Sequence, residues 1–78
     1  MDIRMDEQLW ATSMAPQGML ERWRVSDGAQ VRSGDPVAEV RIEDCLHDIL
    51  APADGRIARL APDGAFIEPG TVIARLEA

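Results

Sequence analysis

The sequence contains no lysine and no tyrosine, and only one cysteine, one histidine and three aromatic residues, Trp10, Trp23 and Phe66. Each shortage excludes something. A lone cysteine, Cys45, rules out an internal disulfide and suits a reducing compartment. Three aromatics are too few to line a large aromatic pocket. All eight cations are arginines against fourteen acidic residues, a net charge of −6. That balance lacks the basic stripe needed to neutralise nucleic-acid phosphates, and it argues equally against anionic membrane surfaces. No apolar run is long enough to span a bilayer or has the form of a signal peptide, so a cytoplasmic location is expected.

What is present is turn chemistry at short intervals. The 78 residues make one domain, 1–78, with an ordinary apolar fraction of 46% that speaks against disorder. Within residues 1–17, either Asp2–Met5 or Gln8–Ala11 supplies a first strand by alternation, and Ala15-Pro16-Gln17-Gly18 reads as a turn. Further strands are expected at Met19–Val25, Ala29–Val31, Val37–Ile42, Cys45–Ala51, Arg56–Ala61, Ala65–Ile67 and Thr71–Glu77. Between them lie Ser26-Asp27-Gly28, Arg32–Pro36, Ala51–Gly55, Pro62-Asp63-Gly64 and Glu68-Pro69-Gly70. Ala38, Val40 and Ile42 share one face at period two. Pro or Gly interrupts nearly every window in which a helix could form.

A repeat runs through this pattern. A shift of 36 residues matches Asp27-Gly28-Ala29 to Asp63-Gly64-Ala65, Gly34 to Gly70, Val37 to Ile73, Ala38 to Ala74 and Val40 to Leu76. A shift of 37 matches Gly18 to Gly55 and Leu20 to Ile57. The halves, about 18–42 and 55–77, are joined by a hairpin around 43–45. The predicted architecture is all-β: a flattened antiparallel barrel or sandwich of about eight short strands, with each half covering the apolar face of the other.

The hairpin holds the candidate functional residues. Asp44 at an exposed turn has an ordinary reading, because aspartate caps nearby backbone N–H groups. Its functional reading groups Glu43, Asp44 and Asp48 into an acidic contact patch for an arginine- or lysine-rich partner. Cys45 and His47 share a strand face, which admits a nucleophile–base pair or half of a metal site with Asp48 or Glu43. One cysteine and one histidine fall short of a zinc set, and no metal is expected. Trp23 is assigned to the core, whereas Trp10 either packs over one end of the barrel or contacts a partner. Arg22, Arg24, Arg56 and Arg59 are expected to form a solvated face.

Gly18–Trp23, Asp27–Val40, Ala51–Gly55 and Gly64–Ala74, in this order and spacing, resemble the biotinyl/lipoyl attachment domains. These carry lipoate in 2-oxo acid dehydrogenase complexes or biotin in biotin-dependent carboxylases. The resemblance covers roughly residues 18–77 and implies the barrel-sandwich hybrid fold. Trp23 leans towards the lipoyl branch. The tip reads Glu43-Asp44-Cys45 where biotinyl domains typically show Met-Lys-Met. Counting back from Ala51–Gly55, the modified lysine of the family falls on Asp44. The family's cofactor is joined by an amide to a lysine ε-amine, and a carboxylate cannot form that bond. The resemblance therefore implies a domain without biotin or lipoate, not itself an enzyme. It would act as a non-catalytic protein-interaction module related to dehydrogenase or carboxylase carrier domains. The alternative is a carrier whose attachment site has moved to Cys45, and a lesser one is a small hydrolase or metal protein using Cys45 and His47.

Overall fold

The computed structural model describes residues 1–11 and 13–77. Its strands are β1 (Asp2–Arg4), β2 (Gly18–Trp23), β3 (Gln30–Val31), β4 (Pro36–Ile42), β5 (Cys45–Leu50), β6 (Gly55–Arg59), β7 (Phe66–Ile67) and β8 (Val72–Glu77). They form two antiparallel four-stranded sheets, in the orders β5-β4-β2-β7 and β1-β8-β6-β3. The all-β sandwich expected from the turn spacing is the architecture found. The strand limits fall within two residues of those expected, with β2, β4 and β6 each beginning one residue earlier. Of the two candidates for a first strand, Asp2–Arg4 is the strand. Glu7–Trp10 instead forms a single 3-10 turn, capped by the Asp6 side chain, which accepts from the Gln8 N–H.

The repeat is written in the hydrogen bonds. Leu20 donates to the Ala65 carbonyl at 2.8 Å and accepts from the Gly64 N–H at 2.7 Å. Its counterpart Ile57 donates to Ala29 at 2.9 Å and accepts from Gly28 at 2.8 Å. Each half thus lends its two-residue strand, β3 or β7, to the sheet built by the other. The equivalence extends to β1 and β5. The pairs Ile3–Ala74 and Arg4–Val72 reproduce Ile49–Ala38 and Leu50–Pro36, including the bulge between them. Met5 exchanges hydrogen bonds with Thr71 and Gly70 as Ala51 does with Asp35 and Gly34.

The matched glycines serve two different ends. Gly28 and Gly64 sit at φ +88° and +81°, where a side chain is strained. Gly18 is a correction to the turn expected at 15–18. It is the buried first residue of β2, and a Cβ there would lie 3.0 Å from the Arg41 carbonyl. At its partner Gly55 a Cβ would lie 2.7 Å from the Glu77 carbonyl. Both positions are glycine because two backbones approach closely.

Between the sheets lie Ile3, Met5, Trp10, Leu20, Val31, Val37, Ala38, Val40, Ile42, Ile49, Ala51, Ile57, Ile67, Ile73, Ala74 and Leu76. No charged or polar residue is buried among the described residues. The face formed by Ala38, Val40 and Ile42 is buried as its alternation predicts, and the β4 bulge turns Val37 inward as well. Trp23 is half-buried against the core and donates its indole N–H to the Ala61 carbonyl at 2.9 Å. Arg22, Arg24, Arg56 and Arg59 are all exposed, as expected, and the Arg59 guanidinium lies 5.6 Å from the centre of the Trp23 ring. Trp23 and Arg59 are 36 positions apart and meet across the pseudo-twofold. Their N–H groups are received by Asp63 and Asp27, themselves a matched pair.

Candidate functional site

β4 and β5 are joined by a two-residue turn, Glu43-Asp44, closed by the pair Ile42–Cys45. Two-residue hairpin loops match the strand twist when their first residue has positive φ. Glu43 takes that conformation, at φ +55°, which is costly for a residue with a side chain. Its carboxylate explains how the cost is met. One oxygen, Oε1, accepts from Ser13 Oγ at 3.0 Å, the Met14 N–H at 2.9 Å and the Ala15 N–H at 3.1 Å. Ser13 Oγ also accepts from the Ala15 N–H, at 3.0 Å. The segment leading into β2 is therefore clasped to the hairpin tip, a contact between positions about thirty apart that sequence patterning does not reveal.

Asp44 is exposed. Beside it, Arg41 Nε donates to Glu21 Oε1 at 2.6 Å. That hydrogen bond first, and then the charges of Glu21 and Asp44, hold the Arg41 guanidinium above its ordinary pKa. Asp48 faces outward and pairs with Arg24 at 3.5 Å. Glu43, Asp44 and Asp48, the three carboxylates of the expected acidic patch, are all exposed, with Glu43 also bonded to residues 13–15 and Asp48 paired at the surface with Arg24.

Cys45 is exposed, and His47 is half-buried on the same strand face, two pairs further from the tip and next to Ile49 on that face. No hydrogen bond joins the two side chains, and no group of three or more His, Cys, Asp or Glu is arranged to hold a metal ion, among the described residues. Of the two readings of Trp10, the packed one is found: it is 8% exposed and belongs to the core. The 3-10 turn swings it inward, and its buried indole N–H has no acceptor among the described residues.

One feature was not singled out from the sequence. Phe66, Met19, Arg41 and Leu46 are successive cross-strand partners on β7, β2, β4 and β5. Opposed residues in antiparallel strands point to one face, so the four form a row across the outer surface of their sheet, next to the tip. Phe66 is 73% exposed and Leu46 50%. Beside the row, a shallow, mainly apolar groove of about 320 Å³ runs between Pro16, Met19, Phe66 and the Glu43 turn. The signal lay in the alternation Phe66 out, Ile67 in, which two residues are too few to establish.

A family model described as "Biotin-requiring enzyme", that of the biotin/lipoyl domain, matches residues 11–76. The chain belongs to the biotin/lipoyl domain family. Among curated proteins, the acetyl-CoA carboxylase of Dictyostelium discoideum is 37% identical over 60 residues, covering 77% of this chain. Acetyl-CoA carboxylase 2 of Oryza sativa subsp. japonica is 38% identical over 58 residues, covering 74%. The chain spans only 2–3% of the length of these relatives. Within this biotin/lipoyl domain, the hairpin tip lies in the matched span.

Proposed function

We propose that this biotin/lipoyl domain has lost its attachment chemistry and works as a non-catalytic protein-interaction module. The observation that carries the reading is the tip itself. The hairpin is formed and braced, yet it offers Glu43, Asp44 and Cys45, and the sequence has no lysine. Biotin and lipoate are held in the family through an amide to a lysine amine. The amine of Met1 donates to the Leu76 carbonyl at 3.0 Å, in the other sheet and away from the tip. The residues at the tip therefore do not fit either group. The resemblance to carboxylases supports a biotinyl ancestry over the lipoyl branch that Trp23 favoured. A carboxylase component is then the first partner class to test.

A second reading rests on the exposure of Cys45 at the tip. Its thiol could accept an acyl group from a donor thioester. The Cys45 sulfur would form the new thioester bond, and the donor would leave as its free thiol.

The deciding experiment is the intact mass of the protein from its own source. A mass equal to the sequence, allowing for loss of Met1, supports the module. A heavier mass that maps to Cys45 supports the second reading, and one that maps elsewhere overturns both. Asp44→Lys co-expressed with a biotin or lipoate ligase completes the test. Gain of the cofactor mass means that only the attachment residue was lost.

A further inference from the structure

We infer that the row Phe66–Met19–Arg41–Leu46, with its adjoining groove, is a docking surface for a partner protein that presents an apolar anchor flanked by arginine or lysine. The inference rests on the interaction-module reading and assigns that module its face. The first argument comes from the pseudo-twofold. The counterparts of Phe66, Met19 and Arg41 in the other sheet are Gln30, Arg56 and Glu77, themselves a cross-strand row. The same backbone positions thus carry a polar, charged row on one sheet and a largely apolar one on the other. Core packing does not require the difference, since both rows face solvent. Single exposed apolar residues are ordinary, whereas a contiguous apolar surface marks a contact site. Here Phe66 and Leu46 are joined through Met19 and the stem of Arg41. Met14, 95% exposed, is held beside the groove by the Glu43 clasp.

The second argument is charge. Arg41 is the cation of the row, and it is already engaged by Glu21. Arg41 and, beside Leu46, Arg22 are matched by Glu21 and Glu39, and Glu43 and Asp44 add the excess of negative charge next to the row, on a chain of net charge −6. An apolar strip with an acidic rim complements a hydrophobic anchor with basic neighbours and repels an acidic one. The rim sets partner choice and association rate, and the apolar row supplies the retained contact.

The test maps the surface by amide chemical shifts on the isotopically labelled chain. The probe is an extended peptide alternating leucine and arginine. The controls are the same peptide with glutamate for arginine, and with serine for leucine. The leucine–arginine peptide is expected to shift Met19, Arg41, Leu46 and Phe66 several-fold more than Gln30, Arg56 and Glu77, and to weaken with added salt. The double variant Leu46→Ser/Phe66→Ser should lower its affinity by about tenfold or more. Its amide spectrum away from the row reports that it remains folded. The variant Gln30→Ser/Arg56→Ser, on the opposite row, should leave affinity unchanged. Equal binding of the glutamate peptide overturns the stated charge of the partner. Broadening of the row with protein concentration alone replaces the partner by a second copy of this chain and overturns the assignment. Absence of shifts at millimolar peptide, or shifts on the Gln30–Arg56–Glu77 face, overturns the surface while leaving the interaction module standing. A prosthetic mass on the native chain overturns the module itself, whichever face the peptide prefers.

Discussion

On one sheet Phe66, Met19, Arg41 and Leu46 stand in a row, and at the matching positions of the other stand Gln30, Arg56 and Glu77. Beneath these rows the two sheets are alike. Leu20 and Ile57 make the same hydrogen bonds, and the β1–β8 and β4–β5 pairings share a bulge. The symmetry is enforced where side chains are buried and relaxed where they meet water. A core tolerates few alternatives because every volume change is felt by its neighbours, whereas a solvated face is free to specialise. In this protein the specialised surface lies around the tip.

The largest expected effect tests the shared core. Leu20→Ala and Ile57→Ala each truncate a side chain with no exposed surface. Each is expected to cost about 3 kcal/mol, a large share of the stability of so small a domain. Urea unfolding should find the two costs alike. A difference of about twofold or more would break the equivalence of the halves, since truncation costs at sites of similar packing track the cavity left behind.

A smaller effect belongs to the tip alone. Glu43→Ala removes the acceptor for Ser13, Met14 and Ala15 while keeping an unfavourable φ, and should destabilise by about 1 kcal/mol. Glu43→Gly loses the same acceptor but is at ease at positive φ, so its cost should be lower. Hydrogen exchange at the Met14 and Ala15 amides should quicken in both variants. Unchanged exchange would mean that the clasp does not hold the 13–15 segment.

The smallest effect separates the outer faces by pH. On the tip-bearing sheet Arg22 pairs with Glu39, and their hydrogen bond holds the Glu39 carboxyl below the ordinary carboxylate range. The position matching Glu39 on the other sheet is Arg75, which cannot play that part. A carboxylate with a depressed folded pKa binds its proton more readily when unfolded. Its stabilisation is therefore complete above the unfolded value of about 4.3 and is lost as pH falls through the lower folded value. The difference in urea midpoint between the native chain and Glu39→Gln should shrink from about pH 6 to about pH 3. A constant difference would assign the effect to packing.

The elements that the sequence revealed are those with local or repeated causes. Asp27-Gly28 and Asp63-Gly64 announce matched turns, and Ala38, Val40 and Ile42 announce a buried face. The kinship of β1 with β5 shows only as Asp2-Ile3 against Asp48-Ile49, two residues that carry no weight until the pairing is seen. At the site, the tip and the exposure of Asp44 were legible from turn chemistry and resemblance. The clasp on Glu43, the Arg24–Asp48 pair and the inward turn of Trp10 were not. Each depends on residues brought together by the sandwich rather than on the pattern of one segment.

The exchange of β3 and β7 between the sheets also constrains how the chain comes to order. Neither half owns a complete sheet, since β2 waits for Phe66–Ile67 and β6 waits for Gln30–Val31. Asp2–Arg4 waits longest, because its partner β8 is the furthest from it in chain order among the eight strands. Long loops must close before most contacts are gained, which slows folding and makes it all-or-none. During synthesis β2 and β4 can pair first, and the β4–β5 hairpin follows as soon as β5 emerges. The tip is thus in place before the barrel that carries it is closed.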